Sequence, residues 1–506
     1  SFYPSGFENS ISISIDGFGD FCSLVISYCN KNKIKILKKL RFPNSLGVFY
    51  EGITQALGFK NYGDEYKMMG LAPYGKPIYY KLLSELFIKD SLNLNLDYFN
   101  HDKKNFSYKF EGVPDQSNLI AENFIAKLNN RLNENNEVLK NNENIAFSAQ
   151  KLFEEKVMSL FDKKILSYSK NLSLSGGCAM NSSCNGKIYK QKIFKNIFIP
   201  PSPGDSGGAI GSSLVFLKNQ YNVKEFKNIK NSFLGTNYSN TEIKNFISNN
   251  SRLNDYKINF YNDDILLKKV AKYLSSGDKV VGWFQGKMEF GPRALGNRSI
   301  LSDPRNPKMR DIINLKIKLR EKFRPFAPSI LDEYKNEWFN FDGNSDYMSF
   351  VAEVRDKKKL IIPAVTHVDD TGRLQTVKKD TSKRFYNLIE EFNKITNVPI
   401  LLNTSFNENE PIVESPHQAI ETFLRTKMNK LEIFKKNLKL NKSYFLLEVG
   451  CNVGLVTLTL SKFKRLFIEA IDENNCHLEK AKKNLFRNKN VKFKKIDFFK
   501  LKNKKK

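Results

Sequence analysis

The sequence predicts an α/β protein, and three stretches carry that prediction. Asn171–Gly177 (NLSLSGG) is a β-rich run that ends in a double glycine and passes into the helical pattern CAMNSSCNGKIYK. Asn196–Pro201 (NIFIPP) is followed by PSPGDSGGAIGSSLVF, another glycine-rich entry to a helix. Val280–Phe284 (VVGWF) is short, apolar and β-rich, so it reads as a buried strand, and a loop punctuated by Gly286, Gly291 and Gly296 follows it.

Bulk properties narrow the function. A chain of 506 residues implies about three domains, and a hydrophobic share of 41% is enough for several cores. No apolar run reaches the roughly 18 residues of a membrane span, and no secretory signal opens the chain. Net charge is +29, which would suit nucleic acid. The lysines, however, are spread along the whole chain among Asn, Ile and Phe, and no motif stacks aromatics among arginines. No specific nucleic-acid partner and no membrane partner is expected. Cysteines stand at 22, 29, 178, 184, 451 and 476 without a CxxC pair. That argues against a thiolate zinc site and a disulfide framework, and for a reducing, cytoplasmic compartment.

Taken in order, residues 11–30 alternate in the β sense around Asp16-Gly17-Phe18-Gly19-Asp20, a hairpin whose tip can wrap a phosphate. A plain turn reads equally well there. The chain begins SFYPSG, without Met, and enters this hairpin almost at once, so a segment ahead of Ser1 is expected to be missing. A helix is predicted from Asn44-Ser45-Leu46-Gly47 through GITQALGF. Residues 61–77, with Asp64, Glu65 and Lys67, read as a glycine-rich loop, and residues 78–145 as an Asn-rich insertion. Residues 146–170 have helical spacing and read as a helix packed on a sheet.

The strand, Gly176-Gly177 and the helix after them form a nucleotide-loop arrangement, with Asn181 and Asn185 on one helical face. Asp205 stands at a strand end before a helix, where a carboxylate can hold a metal and Gly207 and Gly208 leave room for phosphate. An N-capping aspartate is the plain alternative. A linker and first helix over 226–265 open a second domain. In its glycine loop stand Arg293 and Arg298, and Lys322 and Arg324 return before FAPSIL. Four cations near glycines suit an anionic ligand, although a basic surface loop has the same composition. Residues 363–377 are predicted to place His367, Asp369, Asp370 and Arg373 on a loop. Strand VPILLNTSFN brings Asn403, Thr404, Ser405 and Asn407 to its end, a usual ligand position in α/β folds. After Lys442 the character changes: LLEVGCNVG reads strand, glycine turn, helix, and later strands end at Asp472 and Asp497.

SGGCAMN, PPSPGDSGGAIG, FQGKMEFGPRALGNRSIL, REKFRPFAPS, THVDDTGRLQTV and PILLNTSFNENEPIV together resemble the O-carbamoyltransferase family of nodulation-factor and antibiotic-tailoring enzymes. DEYKMMGLAPYG and the DGFGD hairpin are similar to its N-terminal part. The resemblance spans about residues 1–430. It implies a partial actin-like ATPase lobe over 1–225 and a carbamoyl-adenylate-forming, YrdC-like α/β domain over 226–437. It further implies ATP and carbamoyl phosphate as substrates, with carbamoyl-adenylate formed and its carbamoyl group passed to a hydroxyl of a small-molecule or saccharide acceptor. Arg293, Arg298, Lys322, Arg324, His367 and Arg373 would meet the phosphates, and Asn403 and Ser405 the carbamoyl amide or ribose. Gly176, Gly177, Asn181, Gly207 and Gly208 would line the nucleotide or acceptor pocket. Asp205 and Asp16 would hold a divalent metal, iron or magnesium. The family's His-rich metal segment would precede Ser1.

Residues 443–506 are similar to the start of a class I methyltransferase of Rossmann-like fold. Glu448 and Gly450 would form its methyl-donor loop and Asp472 would meet the ribose of S-adenosylmethionine. A plain helical appendage is the alternative. A homodimer is compatible with all of this. An actin-like sugar kinase or ATPase without carbamoyl chemistry is the competing enzyme reading, and it leaves the GPRALGNRSIL and KFRPFAPS blocks without a use.

Overall fold

The computed structural model describes residues 1–31, 33–88, 91–103, 107–108, 114–115, 118–134, 141–221, 223, 226, 228–426 and 428, and the strand residues 444–449, 466–472 and 491–495. Ser1–Met428 form one compact unit and Asn429–Lys506 another. The two lobes expected over 1–437 therefore share the first unit as far as Met428.

The front lobe is built on a sheet whose first three strands are β1 (Asn9–Ile15), β2 (Cys22–Asn30) and β3 (Ile34–Arg41). A two-residue ribbon, β4 (Ser107–Tyr108) with β5 (Pro114–Asp115), lies in the insertion. The sheet is completed by β6 (Asn171–Ser175) and β7 (Asn196–Phe198), in the order β3-β2-β1-β6-β7. β1 to β3 run antiparallel, and β6 runs parallel to both β1 and β7. The alternation ISISISI explains β1. Ile11, Ile13 and Ile15 all go into the core, while Ser10 on the other face meets Ser173 of β6, Oγ to Oγ 3.2 Å. Helix Leu46–Ala56 begins where predicted, capped by Ser45, whose Oγ accepts from Val48 N at 3.1 Å.

Two front-lobe expectations change. The helix expected over 146–170 runs from Asn141 to Met158, and a separate turn of helix covers Lys163–Leu166. Asp162 caps that second piece by accepting from Ile165 N at 2.8 Å, so a new helix starts where the first would have continued. Glu65–Leu71 form a helix, not a loop. Met68 and Leu71 are buried, and that burial outweighs the glycines on either side.

The second lobe carries β8 (Val280–Phe284), β9 (Arg298–Ser302), β10 (Ala327–Leu331), β11 (Phe350–Glu353), β12 (Thr371–Val377) and β13 (Ile400–Ser405). Their order is β11-β12-β10-β13-β9-β8, a mixed sheet in which β10 and β12 are parallel. β8 has the bounds read from sequence. Arg373 lies on β12 and not on a loop, because THVDDTGRLQTV turns at Asp369-Asp370 and pairs with β10 from Ser329 onward. Helix Lys383–Thr396 packs Phe385, Leu388, Ile389 and Phe392 into the core, an i, i+3, i+4, i+7 stripe. The two lobes touch directly. Asn185 Nδ2 donates to Ser349 O at 3.0 Å, and Lys67 reaches Glu321 at 3.6 Å.

The second unit contributes β14 (Tyr444–Val449), β15 (Leu466–Asp472) and β16 (Val491–Lys495), all parallel in sequence order. Glu448 is on β14 and Asp472 closes β15. Gly450 and Asp497 lie outside the described residues. No helix among the described residues is long and apolar enough to cross a membrane.

Candidate active site

Between the lobes lies a cavity of about 700 Å³. Its two walls differ in charge. Arg293, Arg310, Arg320, Arg324 and Arg373 come from the second lobe, and Asp16, Glu51, Glu65 and Asp205 from the front lobe.

The basic wall begins with the loop after β8. Glu289 is buried there, and its Oε1 accepts backbone N–H bonds from Leu295 at 2.7 Å and Asn297 at 2.8 Å. The loop is thus wound around a carboxylate, with Arg293 at its crest. Gly291 has φ +133°, and a Cβ there would stand 2.4 Å from Pro201 O, so only glycine fits this crossing between lobes. Arg320 and Arg324 come from the segment before β10, where Arg320 Nε donates to Asn314 Oδ1 at 2.7 Å. Arg324 sits over the Tyr66 ring, 4.5 Å from its centroid.

Among the described residues Arg293, Arg310, Arg320 and Arg373 make no ion pair, and Arg373 Nε is buried without a hydrogen-bond partner. Burial and then Arg324 hold Arg293 down to about 10, and the same two causes hold Arg320 down to about 9. Burial, followed by Arg293, Arg320 and Arg324, pushes Arg373 well below the ordinary guanidinium range. Guanidinium groups keep their charge in proteins, and each one here raises the cost of its neighbours. An anion relieves that cost.

Lys318 lies behind this wall, buried to 1%. Its Nζ donates to the carbonyl of Ser405, to Ser405 Oγ at 3.2 Å and to Asn407 Oδ1. Burial, then Arg320 and Arg324, push the amine well below its usual value. Asn403, buried to 1%, donates through Nδ2 to Gln375 Oε1 at 2.9 Å and Ser329 Oγ at 3.1 Å.

His367 is half-buried at the cavity's edge. Its Nδ1 is 3.1 Å from Thr371 Oγ1, and that hydroxyl donates to Asp369 Oδ1 at 2.7 Å. The imidazole therefore carries its proton on Nδ1, and Nε2 has no partner among the described residues. Burial pushes the ring down to about 4, against the upward pull of Asp369 and with the help of Arg373.

On the acidic wall, Asp16 accepts from Gly17 N at 2.9 Å and Gly177 N at 3.0 Å. Burial lifts Glu51 to about 8 and raises Glu65 as well. Asp205 is the first residue of helix Asp205–Tyr221. Asn181 caps the helix Ser182–Lys190, its Oδ1 accepting from Cys184 N at 3.0 Å, and it exchanges amide bonds with Gln150. Among the described residues no three His, Cys, Asp or Glu side chains come together in a way that would hold a metal ion. Asp16 and Asp205 both line the cavity without belonging to such a group.

Of the residues singled out from sequence, Asp16, Gly177, Asn181, Asp205, Arg293, Arg324, His367, Arg373, Asn403 and Ser405 line this one cavity. Five do not. Arg298 is fully buried under β8 and gives its N–H groups to backbone carbonyls, among them Gln285 at 2.7 Å and Asn297 at 3.0 Å. Lys322 points to solvent, at the turn between Arg320 and Arg324. Gly176 lies behind the cavity, where a Cβ would stand 2.0 Å from Ile15 O. A Cβ on Gly207 would stand 1.9 Å from Ser202 O, and one on Gly208 meets nothing within 4 Å. Neither of these two lines the cavity. Sequence reasoning passed over Arg310, Arg320, Lys318, Glu51 and Gln375. The only available signal was the alternation of Lys318, Arg320 and Lys322, and the positive φ of Leu319 (47°) breaks its phase.

Comparison with known proteins agrees with the geometry. Residues 1–214 match the model of the carbamoyltransferase N-terminus and residues 271–439 that of the carbamoyltransferase C-terminus. An uncharacterized protein of Synechocystis is 38% identical over 461 residues, covering 85% of this chain and 73% of the relative. Nodulation protein NolO of Bradyrhizobium diazoefficiens is 35% identical over 445 residues, 86% of this chain and 76% of its own. Nodulation protein NolNO of Sinorhizobium fredii is 35% identical over 443 residues, 86% of this chain and 61% of its own. With both halves matched and relatives at 35–38% identity over most of its length, the chain belongs to the carbamoyltransferase family.

Proposed function

We propose that this carbamoyltransferase draws its carbamoyl group from carbamoyl phosphate and activates it with ATP as carbamoyl-adenylate. The acceptor is a hydroxyl on a sugar or other small molecule. The observation that carries the reading is the arginine wall: Arg293, Arg320, Arg324 and Arg373 face one cavity and repel one another, and among the described residues only Arg324 of these four makes an ion pair, with Glu321 at 3.6 Å. Two phosphorylated substrates supply the missing negative charge. For the atoms to balance, carbamoyl phosphate first gives its phosphate to water. A carbamate oxygen then attacks the α-phosphorus of ATP and pyrophosphate leaves. The acceptor oxygen finally attacks the carbamoyl carbon, AMP departs, and the hydroxyl proton goes to a base.

The guanidinium groups would hold the phosphates and stabilise charge that grows on their oxygens during adenylyl transfer. The acidic wall opposite is where a neutral, hydroxyl-rich acceptor would sit, since Asp16 repels phosphate and Glu51, protonated near neutrality, can both donate and accept a hydrogen bond. The sheet order β3-β2-β1-β6-β7, three antiparallel strands followed by two parallel ones, supports an actin-like front lobe. A YrdC-like fold is our reading of the second. For the tail, the parallel β14-β15-β16 supports the methyl-donor assignment of Glu448 and Asp472.

The test is pyrophosphate release from ATP. It should require carbamoyl phosphate and yield phosphate alongside. Release of ADP without pyrophosphate would argue for a kinase of the same fold and against this reading.

A further inference from the structure

Asn403 is fixed in one orientation by a chain of hydrogen bonds that begins outside the cavity. Gln375 Nε2 donates to the backbone carbonyl of Leu295 at 2.8 Å. That bond fixes which end of the Gln375 amide is oxygen. Gln375 Oε1 then accepts from Ser329 Oγ and from Asn403 Nδ2 at 2.9 Å. Asn403 Nδ2 is also close to Ala294 O, at 3.3 Å. Its nitrogen therefore faces oxygens only, and its oxygen is turned the other way. That oxygen, Oδ1, is buried and has no partner among the described residues, on a side chain that is 1% exposed and lines the cavity. A buried acceptor left unmet costs about 1–3 kcal/mol, and a donor brought by a ligand would relieve that cost.

We infer that Asn403 Oδ1, oriented by Gln375, is the acceptor for the amino group of the carbamoyl donor, and that it selects an amide over an acyl group of the same shape. Two sources could supply such an N–H: the carbamoyl NH₂ and the exocyclic amine of adenine. The carbamoyl group is favoured by position. Ala294, which meets Asn403, follows Arg293 in the chain. Gln375 is two residues from Arg373 on β12, so both project from one face of the strand. The acceptor thus stands beside the phosphate-binding arginines. In carbamoyl phosphate one carbon separates nitrogen from the phosphoryl oxygen, whereas in ATP a ribose lies between the adenine amine and the phosphates. Gln375 acts through Asn403 and is a positioning residue.

This inference rests on the carbamoyl phosphate reading above, and the test separates the two. Phosphonoacetamide and phosphonoacetone are stable and differ only in NH₂ against CH₃, and methylphosphonate reports the arginine wall alone. Calorimetric titration of the full chain should show phosphonoacetamide binding at least tenfold tighter than phosphonoacetone. In Asn403→Ala that ratio should fall to about one, with methylphosphonate affinity within twofold of the wild type. Gln375→Leu should lower the ratio while leaving methylphosphonate binding unchanged, an outcome that a merely structural glutamine would not give. Asn403→Ser serves if the alanine variant does not fold.

An equal affinity of the wild type for the amide and the ketone would overturn the inference and leave the anion site standing. Parallel loss of all three ligands in Asn403→Ala would also overturn it. A preference for ATP over GTP that disappears in Asn403→Ala, with the amide-to-ketone ratio intact, would assign the acceptor to adenine. Failure of methylphosphonate to bind the wild type would remove both the anion site and this inference.

Discussion

The guanidinium of Arg298 sits over the ring of Phe284, 3.7 Å from its centroid, and gives its N–H groups to the carbonyls of Gln285, Gly286, Asn297, Thr236 and Glu414. It pins the loop that carries Arg293 without reaching the ligand. Removing it leaves buried carbonyls unmet and a space beside Phe284. Arg298→Ala should cost about 3 kcal/mol, read as a fall in midpoint on urea denaturation. Arg298→Lys should not restore it, because an ammonium cannot reach five carbonyls in that fork. Phosphate affinity per folded molecule should change far less than in Arg293→Ala.

Among the described residues Arg373 makes no ion pair, and it has three arginine neighbours, so an apolar replacement of similar length should help the empty protein. Arg373→Met is expected to raise stability by about 1 kcal/mol without anion and to abolish the rise in melting temperature that phosphate gives the wild type. Thermal melts with and without phosphate read both effects. A variant that is less stable and still responds to phosphate would contradict the arginine-wall account.

Two buried groups bound the stability profile in pH. His367 has its folded pKa pushed down to about 4 from 6.5, so its contribution is complete above 6.5 and is lost as pH falls toward 4. Glu51 is lifted to about 8 from 4.5, so its contribution is complete below 4.5 and is lost as pH rises toward 8. Across these windows the two are worth at most about 3 and about 5 kcal/mol respectively. His367→Gln should flatten the acid limb and Glu51→Gln the alkaline limb, each leaving the other in place in urea titrations run from pH 4 to 8.

Lys318 holds Ser405 from behind, its amine bonded to both the carbonyl and the hydroxyl of that residue. Lys318→Met keeps the length and removes three donated bonds. It should destabilise the fold by about 1–3 kcal/mol and release Ser405 Oγ, weakening ATP or carbamoyl phosphate binding severalfold in calorimetry. An unchanged affinity in a folded Lys318→Met would mean that Ser405 does not meet either substrate.

The elements were legible where local chemistry decides them. β8 and the helix capped by Ser45 follow from an apolar run, a glycine turn and a capping residue. The side of a strand or loop on which a charge lands was not legible. Arg293 and Arg298 are five residues apart, one on the loop after β8 and the other opening β9, and only the three-dimensional winding around Glu289 turns one to the cavity and the other inward to carbonyls. Lys322 stands between Arg320 and Arg324 in the sequence, and only the three-dimensional turn there sends it to solvent while its two neighbours line the cavity. Arg373 was assigned to a loop because its strand pairs with β10, more than 40 residues away, a partnership no local pattern reveals. Gln375 carried no signal at all, since its importance lies in an orientation it imposes on a residue of another strand.

The measurement closest to the central claim is carbamoyl-phosphate-dependent pyrophosphate release from ATP, compared between wild type, Arg320→Ala and Lys322→Ala. Arg320 faces the cavity and Lys322, two residues on, faces solvent. The account predicts a loss of at least about 100-fold in Arg320→Ala, in line with removal of one preorganised charge, and a rate within twofold of wild type in Lys322→Ala. Equal rates in all three proteins, or a larger loss at Lys322, would contradict it.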